Sequence, residues 1–389
     1  MIQVRPACRM EGRFCGTRGL HAVKASWLAA GVAAAGLHAP MDSITQMLLG
    51  AAVTAAIAPP GHRRAALLAG AALGTLPDLD VLPIALLTDN PVERMTWHRG
   101  LTHSLLVLPL VAWAIWAWFR SRGGRVTEAP RRWFWAIQLA LLTHPLLDAF
   151  TVYGTQLLWP LPVRPVMWSS VFIIDPLYTV WLLLACAAAC WAGPRRVAGH
   201  ALAAGLALSS LYLGASLGAK AMVEREASRS LASLGLADAP RFSVPMPFNI
   251  LLWRVVAMTP DGFVEGERSL AADHGPMAFR RYRSDVDALR DVEALPAVRE
   301  LAWFNHGFMK AERRQGHLVL SDLRMGAEPD YTFRFAVAEG GSGAWRAIPP
   351  EQMEWPWESR RQLAGLWQRI WEAPTHPGAA ATNAATPGH

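Results

Sequence analysis

WFWAIQLALLTHPLLDAF, residues 133–150, is an apolar run that carries His144 and Asp148 near its end. These two residues are four apart, so on a helix they share one face and can bind one ion together. Ionisable side chains at membrane depth are costly and usually face a cavity, a partner or an ion. The stretch therefore predicts a membrane helix that contributes part of a metal site at one end.

Five further apolar runs accompany this one. The complete set is residues 44–58, 65–87, 101–119, 133–150, 171–192 and 197–218. The third, fifth and sixth runs are long enough to cross a hydrocarbon core of about 30 Å. The first is short, and it either tilts or pairs with the second as a helical hairpin. The runs predict an all-α polytopic membrane domain of about six helices, some of them short or hairpin-like.

The composition changes after residue 219, where charges become frequent and no run could cross a bilayer. Strand-like patterns cover residues 251–258, 262–270, 318–323 and 331–337, and helical spacing covers 355–371. These patterns predict a smaller α+β soluble domain over residues 220–372, after a membrane domain over residues 41–219. Residues 373–389 are rich in Ala, Pro, Thr and Gly, which predicts a disordered tail.

Residues 1–40 are interpreted separately. Ala25 to Leu37 is apolar and follows basic residues, as in a weak signal peptide. However, Met41-Asp42-Ser43-Ile44-Thr45 has the pattern of a natural chain start that runs directly into a helix, with Asp42 or Ser43 as its N-cap. Residues 1–40 are therefore either an over-extended start or a weak signal segment.

The basic residues predict an orientation. The net charge of +7 comes from arginine, and several arginines lie in the connections at residues 62–64, 120–132 and 195–196. Each of these connections follows an odd-numbered apolar run, so the positive-inside rule makes all three cytoplasmic. The remaining arginines form no basic stripe, so we expect no nucleic-acid partner.

The same orientation places seven ionisable residues at the outer end of the helices. They are Asp78, Asp80, His98, His103, His144, Asp148 and Asp175. A mixture of imidazoles and carboxylates is what a divalent metal site requires; zinc is favoured, with manganese or iron as alternatives. The set contains more ligands than one tetrahedral ion needs. It therefore fits two metals, or one ion with outer carboxylates that hold the imidazoles. Asp175 has a second interpretation as a simple helix cap.

Asp80 and Arg99 are the candidate catalytic residues. A spare carboxylate would act as general base toward an activated water, and Arg99 with Arg164 would hold a phosphate. A buried salt-bridge network around these two arginines is the alternative. Tyr153, Trp159 and Trp168 follow Asp148 and are typical of an interfacial aromatic belt rather than a lipid path.

Several of these segments resemble the YdjM-like family of predicted membrane-bound metal-dependent hydrolases of bacterial inner membranes. They are Met41–Thr45, Pro77–Asp80, His98–Ser104, His144–Asp148, Tyr153–Thr155 and Asp175–Tyr178. The resemblance covers residues 41–185, and the soluble part looks like an extension that some members carry. It implies a helical hydrolase, loosely likened to zinc-dependent phospholipase C. By motif position it implies that Asp78, Asp80, His98, His103, His144 and Asp148 are ligands. Many relatives have histidine where this chain has Gln46, so the metal stoichiometry can differ.

We therefore expect a metal-dependent hydrolase whose site lies at headgroup depth on the outer face of the inner membrane, with the C-terminal domain on the same side. A phosphoester, possibly lipid-linked, fits a site at that depth. The alternative is a non-catalytic metal-binding scaffold or a transporter. Transport favours ionisable residues along the whole membrane depth, whereas here they gather at one end. The substrate, the metal number and the oligomeric state stay open.

Overall fold

The computed structural model describes residues 43–341, 344–354 and 359–374, which all belong to one unit within Met41–His389. The expected start or signal segment, the Met41-Asp42 pair, Trp355 with Trp357, and most of the expected tail lie outside the described residues.

The first half of the described chain is helical. Its α-helices are α1 Ser43–Ile57, α2 Arg63–Thr75, α3 Val81–Leu87, α4 Pro91–Trp97, α5 Leu108–Ser121, α6 Arg125–Glu128, α7 Pro130–Ala149, α8 Pro176–Ala192 and α9 Arg196–Ser233. Three 3-10 turns interrupt them, at Pro60–His62, Pro77–Asp80 and Leu101–His103. Proline occupies the first turn of α4, α5, α7 and α8, where its missing N–H costs no helical hydrogen bond.

Among the described residues, one helix, Arg196–Ser233, is long and apolar enough to cross a membrane by itself. Two bent pairs also qualify if each counts as one span: Pro60–Thr75 with Pro77–Leu87, bent by 41°, and Pro91–His103 with Leu108–Ser121, bent by 57°. Ser43–Ile57 and Pro176–Ala192 are shorter apolar helices. The structure thus gives one to three candidate spans, and the prediction of about six membrane helices is not confirmed.

Helices α1 and α2 pack against each other through glycines. A methyl group on Gly74 would lie 2.3 Å from the carbonyl oxygen of Gln46, and one on Gly70 would lie 2.3 Å from that of Gly50. Small residues let two helix backbones approach in this way. The first two apolar runs therefore form a close hairpin, one of the two arrangements expected from their length.

The three basic connections meet at one end of the helices. Arg63 donates to the carbonyl oxygens of Gly193 at 3.3 Å and Arg195 at 2.7 Å. His62 lies 2.9 Å from Glu128 and accepts from the Trp133 indole at 3.2 Å. Helix α7 begins at this end and its 20 residues rise about 30 Å. The candidate metal residues, which follow α2 and end α7, therefore lie at the opposite end from the basic connections.

The second half of the described chain is rich in sheet. It contains β1 Arg241–Pro245, β2 Leu252–Thr259, β3 Gly262–Ser269, β4 Phe279–Arg283, α10 Val286–Val292, α11 Pro296–Phe304, β5 Met309–Arg314, β6 His317–Asp322, β7 Gly326–Ala327, β8 Asp330–Tyr331, β9 Arg334–Gly341, β10 Ala344–Gln352 and α12 Ser359–Trp371. Two antiparallel four-stranded sheets have the orders β1-β2-β3-β4 and β10-β9-β6-β5, and β7 pairs with β8. The expected domain boundary after residue 219 falls inside α9, which continues without interruption to Ser233.

The sheet-rich half packs against the helical half in two places. Ala219, Val223 and Ala227 of α9 contact Trp253 and Val255 of β2. At the second place, Val92 and Met95 of α4, together with Tyr153, belong to the same buried cluster as the side chains of α10, α11 and the second sheet. The second contact lies at the end of the helices that carries the candidate metal residues.

Candidate metal centre

Four side chains converge at this end of the helices: Asp78, His103, His144 and Asp148. Asp78 belongs to the 3-10 turn after α2, His103 to the 3-10 turn before α5, and the other two to α7. The His103 and His144 side chains are fully buried, Asp148 is 1% exposed, and Asp78 is 22% exposed. Their ligand atoms all lie within 4.8 Å of one another.

Five of the separations between these atoms lie close to the edge lengths of a metal tetrahedron. The Nε2 atoms of His103 and His144 are 3.1 Å apart. His103 Nε2 lies 3.3 Å from Asp78 Oδ1 and 3.1 Å from Asp148 Oδ2, and the distances from His144 Nε2 are 3.3 Å and 3.4 Å. Zinc bonds to nitrogen and oxygen of about 2.0–2.2 Å give tetrahedral edges of about 3.3–3.6 Å. The four atoms are therefore spaced as ligands of one ion.

Hydrogen bonding fixes the tautomer of His144. Its Nδ1 lies 2.7 Å from the carbonyl oxygen of Gly74 in α2. A carbonyl only accepts, so Nδ1 carries the proton and donates. In the neutral ring the lone pair on Nε2 then points toward the two carboxylates. A backbone carbonyl that holds a ligating imidazole in this way is a common feature of metal sites.

The same reasoning applies to His103. The hydroxyl of Thr102 donates to Asp80 Oδ2 at 2.8 Å, so its oxygen accepts from His103 Nδ1 at 3.0 Å. His103 therefore also presents an unprotonated Nε2 to the cluster when its ring is neutral. The Asp80–Thr102–His103 chain orients the second imidazole as the Gly74 carbonyl orients the first.

The cluster as a whole lacks a hydrogen-bond donor at its centre. Asp78 Oδ1 and Asp148 Oδ2 are buried and accept no hydrogen bond from the described residues. When both imidazoles are neutral, their Nε2 lone pairs face these two oxygens, so four acceptors converge within 4.8 Å of one another. A buried polar atom without a partner costs about 1–3 kcal/mol, and more when it is charged. A cation at the centre removes that cost.

Asp148 is held by two further side chains. Its Oδ1 accepts from Gln46 Nε2 at 3.0 Å and lies 3.3 Å from Arg99 Nη2, and Arg99 also donates to Thr151 Oγ1 at 3.1 Å. These contacts leave Oδ2 directed at the two imidazoles. Gln46, noted in the sequence only as the position where relatives carry histidine, therefore contacts a ligand directly. The guanidinium of Arg99, expected to hold a phosphate, contacts Asp148 here.

Asp80 and His98 form a pair beside the four-residue cluster and are outside it. His98 Nδ1 lies 2.8 Å from Asp80 Oδ1, and Asp80 Oδ2 accepts from the Arg99 backbone N–H at 3.3 Å. Asp80 is 6% exposed and the His98 side chain 19%. Three charged carboxylates (Asp78, Asp80 and Asp148) and one guanidinium leave two negative charges when the imidazoles are neutral. One divalent cation balances them.

Asp175 lies outside the cluster. It caps α8, accepting from the backbone N–H groups of Leu177 at 3.0 Å and Tyr178 at 3.3 Å, and it also accepts from the Tyr212 hydroxyl at 2.7 Å. Its side chain therefore has the capping contacts that were its second interpretation. Arg164 is exposed on the loop between α7 and α8.

Two contributors to the site were missed or misread in the sequence. The Gly74 carbonyl has no side-chain signature, so only the packing of α2 on α7 reveals it. Tyr153, interpreted as part of an interfacial belt, is 8% exposed, with its ring 4.9 Å from the Arg99 guanidinium carbon and 5.7 Å from the His98 ring. Trp159 and Trp168 are 36% and 41% exposed.

Residues 41–223 match the family model described as YdjM inner membrane protein. The match contains all four converging residues and the paired Asp80 and His98, and it extends beyond the 41–185 segment that carries the motifs. No curated protein and no solved structure matches the chain. The family resemblance drawn from the motifs is confirmed.

Proposed function

We propose that the chain, whose residues 41–223 match the YdjM inner membrane protein family model, binds a divalent metal ion and hydrolyses a phosphoester with it. One observation carries the metal assignment. Ligand atoms from Asp78, His103, His144 and Asp148 converge within 4.8 Å of one another, and the two carboxylate oxygens among them accept no hydrogen bond from the described residues. Imidazole with carboxylate favours zinc, with manganese or iron as alternatives.

We place the site at the outer face of the inner membrane and take the substrate to be lipid-linked. Two features support this orientation. The basic connections gather at the opposite end of the helices, where His62, Arg63 and Glu128 lie, and such loops are usually cytoplasmic. The sheet-rich half contacts the end that carries the cluster. A multi-pass arrangement, in which the bent helix pairs cross the membrane with α9, belongs to the same proposal.

The residues beside the cluster supply proton transfer and positioning. A divalent ion bound there would supply Lewis acidity, which polarises an ester and promotes attack by water at neutral pH. The Asp80–His98 pair would accept the proton of that water, since Asp80 lies 2.8 Å from the ring and orients it, and the His98 side chain is 19% exposed. Arg99 holds Asp148 and contributes positive charge.

A second candidate function, a purely structural metal site, is favoured by one observation. Structural zinc sites are closed by four protein ligands, whereas catalytic sites keep one position open. Here four protein side chains lie close enough together to bind one ion. Asp78 is the most exposed of the four, at 22%, and it comes from a short turn. A catalytic site therefore requires that substrate or water shares or replaces the position of Asp78.

Metal analysis tests the first half of the proposal. The full-length protein, purified in detergent, should contain about one equivalent of metal by mass spectrometry. The His103→Ala, Asp148→Ala double variant should contain none. His200→Ala, which removes an exposed histidine of α9, is the matched control and should keep the wild-type content. Equal metal content in the wild type and the double variant would show that the cluster is not a metal site.

A turnover assay tests the second part of the proposal, which is hydrolysis of a phosphoester. Phosphodiesters and lipid-linked phosphoesters in mixed micelles should be cleaved by the metal-loaded protein, and a chelator should abolish cleavage. Asp78→Asn then separates the two candidates. A structural site would lose thermal stability with no turnover to lose, whereas a catalytic site would lose turnover. Metal-loaded protein without turnover across the panel would favour the structural site.

A further inference from the structure

Tyr153 connects the sheet-rich half of the chain to the metal cluster. Its ring is 5.5 Å from the ring of Phe304 at the end of α11, and 5.9 Å from that of Phe333 before β9. On its other side lie the Arg99 guanidinium, 4.9 Å from the ring centre, and His98, 5.7 Å away. Edge-to-face aromatic pairs and a guanidinium over a ring are both attractive arrangements.

The position of the Tyr153 ring is fixed by its hydroxyl as well. Burial raises the pKa of the phenol well above its usual range, so the hydroxyl stays protonated. It donates to the carbonyl oxygen of Met95 at 2.8 Å, in the last turns of α4. Gln156 Nε2 donates to the next carbonyl, that of Thr96, at 2.6 Å. These bonds attach the loop after α7 to the helix that leads directly into His98 and Arg99.

The sheet-rich half holds α4 from the other side. Val92 and Met95 are buried with the side chains of α10, α11 and the second sheet, and the Thr96 hydroxyl bonds to Glu300 of α11. Phe304 is fully buried, and its carbonyl accepts from Arg324 at 3.2 Å. The segment that carries His98 and Arg99 is therefore packed between the helices and the sheet-rich half.

We infer that Tyr153 is a positioning residue for the metal site and that Phe304 of the C-terminal region keeps its ring in place. The inference rests on the proposed metal site. The ring confines the Arg99 guanidinium to the position from which it contacts Asp148 Oδ1 at 3.3 Å. Asp148 then keeps Oδ2 for the ion. The C-terminal region is accordingly part of the site, although all four ligands come from the helical half.

The test measures the affinity of the full-length protein for cobalt(II), whose visible absorption reports ligand geometry, by competition with a chelator. Tyr153→Leu removes the ring and should weaken cobalt binding by about tenfold, as loss of an outer partner of a metal ligand typically does. Tyr153→Phe keeps the ring and its contacts with Arg99 and Phe304 and loses only the hydrogen bond to Met95, so it should weaken binding less than Tyr153→Leu does. Phe304→Leu should weaken binding several-fold, whereas Phe263→Leu, an equally buried phenylalanine of β3, should not.

A second measurement separates positioning from a general loss of structure. If Tyr153 acts through Arg99, adding Tyr153→Leu to Arg99→Gln should cause no further loss of cobalt affinity, because coupled residues are not additive. Additive losses of cobalt affinity in the double variant would overturn the inference. It would also be overturned if Tyr153→Leu and Phe304→Leu bound cobalt as tightly as Phe263→Leu does. A wild-type protein that binds no cobalt overturns the proposed function itself, and this inference with it.

Discussion

The chain buries charged side chains in two regions, and the two differ in how the charges are compensated. In the sheet-rich half, Arg254 donates to Glu265 at 2.6 Å and to the Leu323 carbonyl at 2.7 Å. Asp322 likewise accepts from Arg324 through both of its oxygens. In the helical half, Asp78 Oδ1 and Asp148 Oδ2 face imidazole nitrogens that have no proton to give when neutral. In the first region each of these charges is paired with an opposite charge of the protein, whereas the facing carboxylate oxygens and imidazoles of the second region would be compensated by a bound cation.

The largest expected effect is the loss of the metal when one of its ligands changes. Asp148→Asn keeps the size of the side chain but removes its charge, so bound metal should fall from about one equivalent to none. Asp175→Asn is the matched control because Asp175 is similarly buried, at 4% exposure, but lies at the cap of α8. Mass spectrometry of the purified proteins measures both. Loss of metal in Asp175→Asn would instead return Asp175 to the ligand set.

The second largest effect is a loss of stability when the Arg254–Glu265 pair of the sheet-rich half is broken. Arg254→Met should destabilise the protein by about 3–5 kcal/mol, because it leaves Glu265, whose side chain is only 12% exposed, without its partner. The loss should be the same with and without chelator, since no ion compensates that charge. Chemical denaturation in detergent, followed by tryptophan fluorescence, measures it. Arg229→Met breaks an exposed ion pair with Glu226, so it should change stability by less than about 1 kcal/mol. A chelator-dependent loss in Arg254→Met would contradict the distinction between the two regions.

The sheet-rich half also shows which structure the sequence could predict. The strand-like segments at residues 251–258, 262–270, 318–323 and 331–337 correspond mainly to β2, β3, β6 and β9. These are the four interior strands of the two larger sheets, and their edge strands β1, β4, β5 and β10 were missed, as was the short β7–β8 pair. Edge strands often carry charge or proline, which weakens the apolar pattern by which a strand is recognised. Accordingly, β4 reads FRRYR and β10 contains two consecutive prolines.

The candidate site could also be predicted only in part, namely where its residues lie on a regular helix. The four-residue spacing of His144 and Asp148 placed both on one helix face, which the structure also gives. Asp78 and Asp80 lie in a 3-10 turn, where side chains two apart point in different directions, so only Asp78 reaches the cluster. The same limit applies to His98 and His103, which belong to different turns. Spacing determines side-chain direction in a regular helix but not in such turns.

A third, smaller effect tests whether helix packing sets the site. Gly74→Ala places a methyl group against the Gln46 carbonyl, so α1 and α2 must separate, at a cost of about 1–3 kcal/mol. The Gly74 carbonyl would shift away from His144, and metal affinity should fall with stability. Gly214→Ala is the control: it lies in α9 with open space around it, so alanine should be neutral or stabilising by up to about 1 kcal/mol. Thermal unfolding and metal competition measure the two effects together. If Gly74→Ala is destabilised but binds the metal as tightly as the wild type, the packing of α1 on α2 does not set the geometry of the metal site.

The smallest effect belongs to Gln46, which supports the cluster without entering it. Gln46→Leu replaces the amide with an apolar side chain of similar size and removes the hydrogen bond to Asp148 Oδ1, so metal affinity should fall by about tenfold. Gln138→Leu is the matched control, because Gln138 is a buried glutamine of α7 that donates to the Pro109 carbonyl, away from the ligands. Chelator competition should separate the two variants while their unfolding stays similar. Equal affinities would mean that Arg99 alone holds Asp148, since its guanidinium is the other side chain within reach of Oδ1.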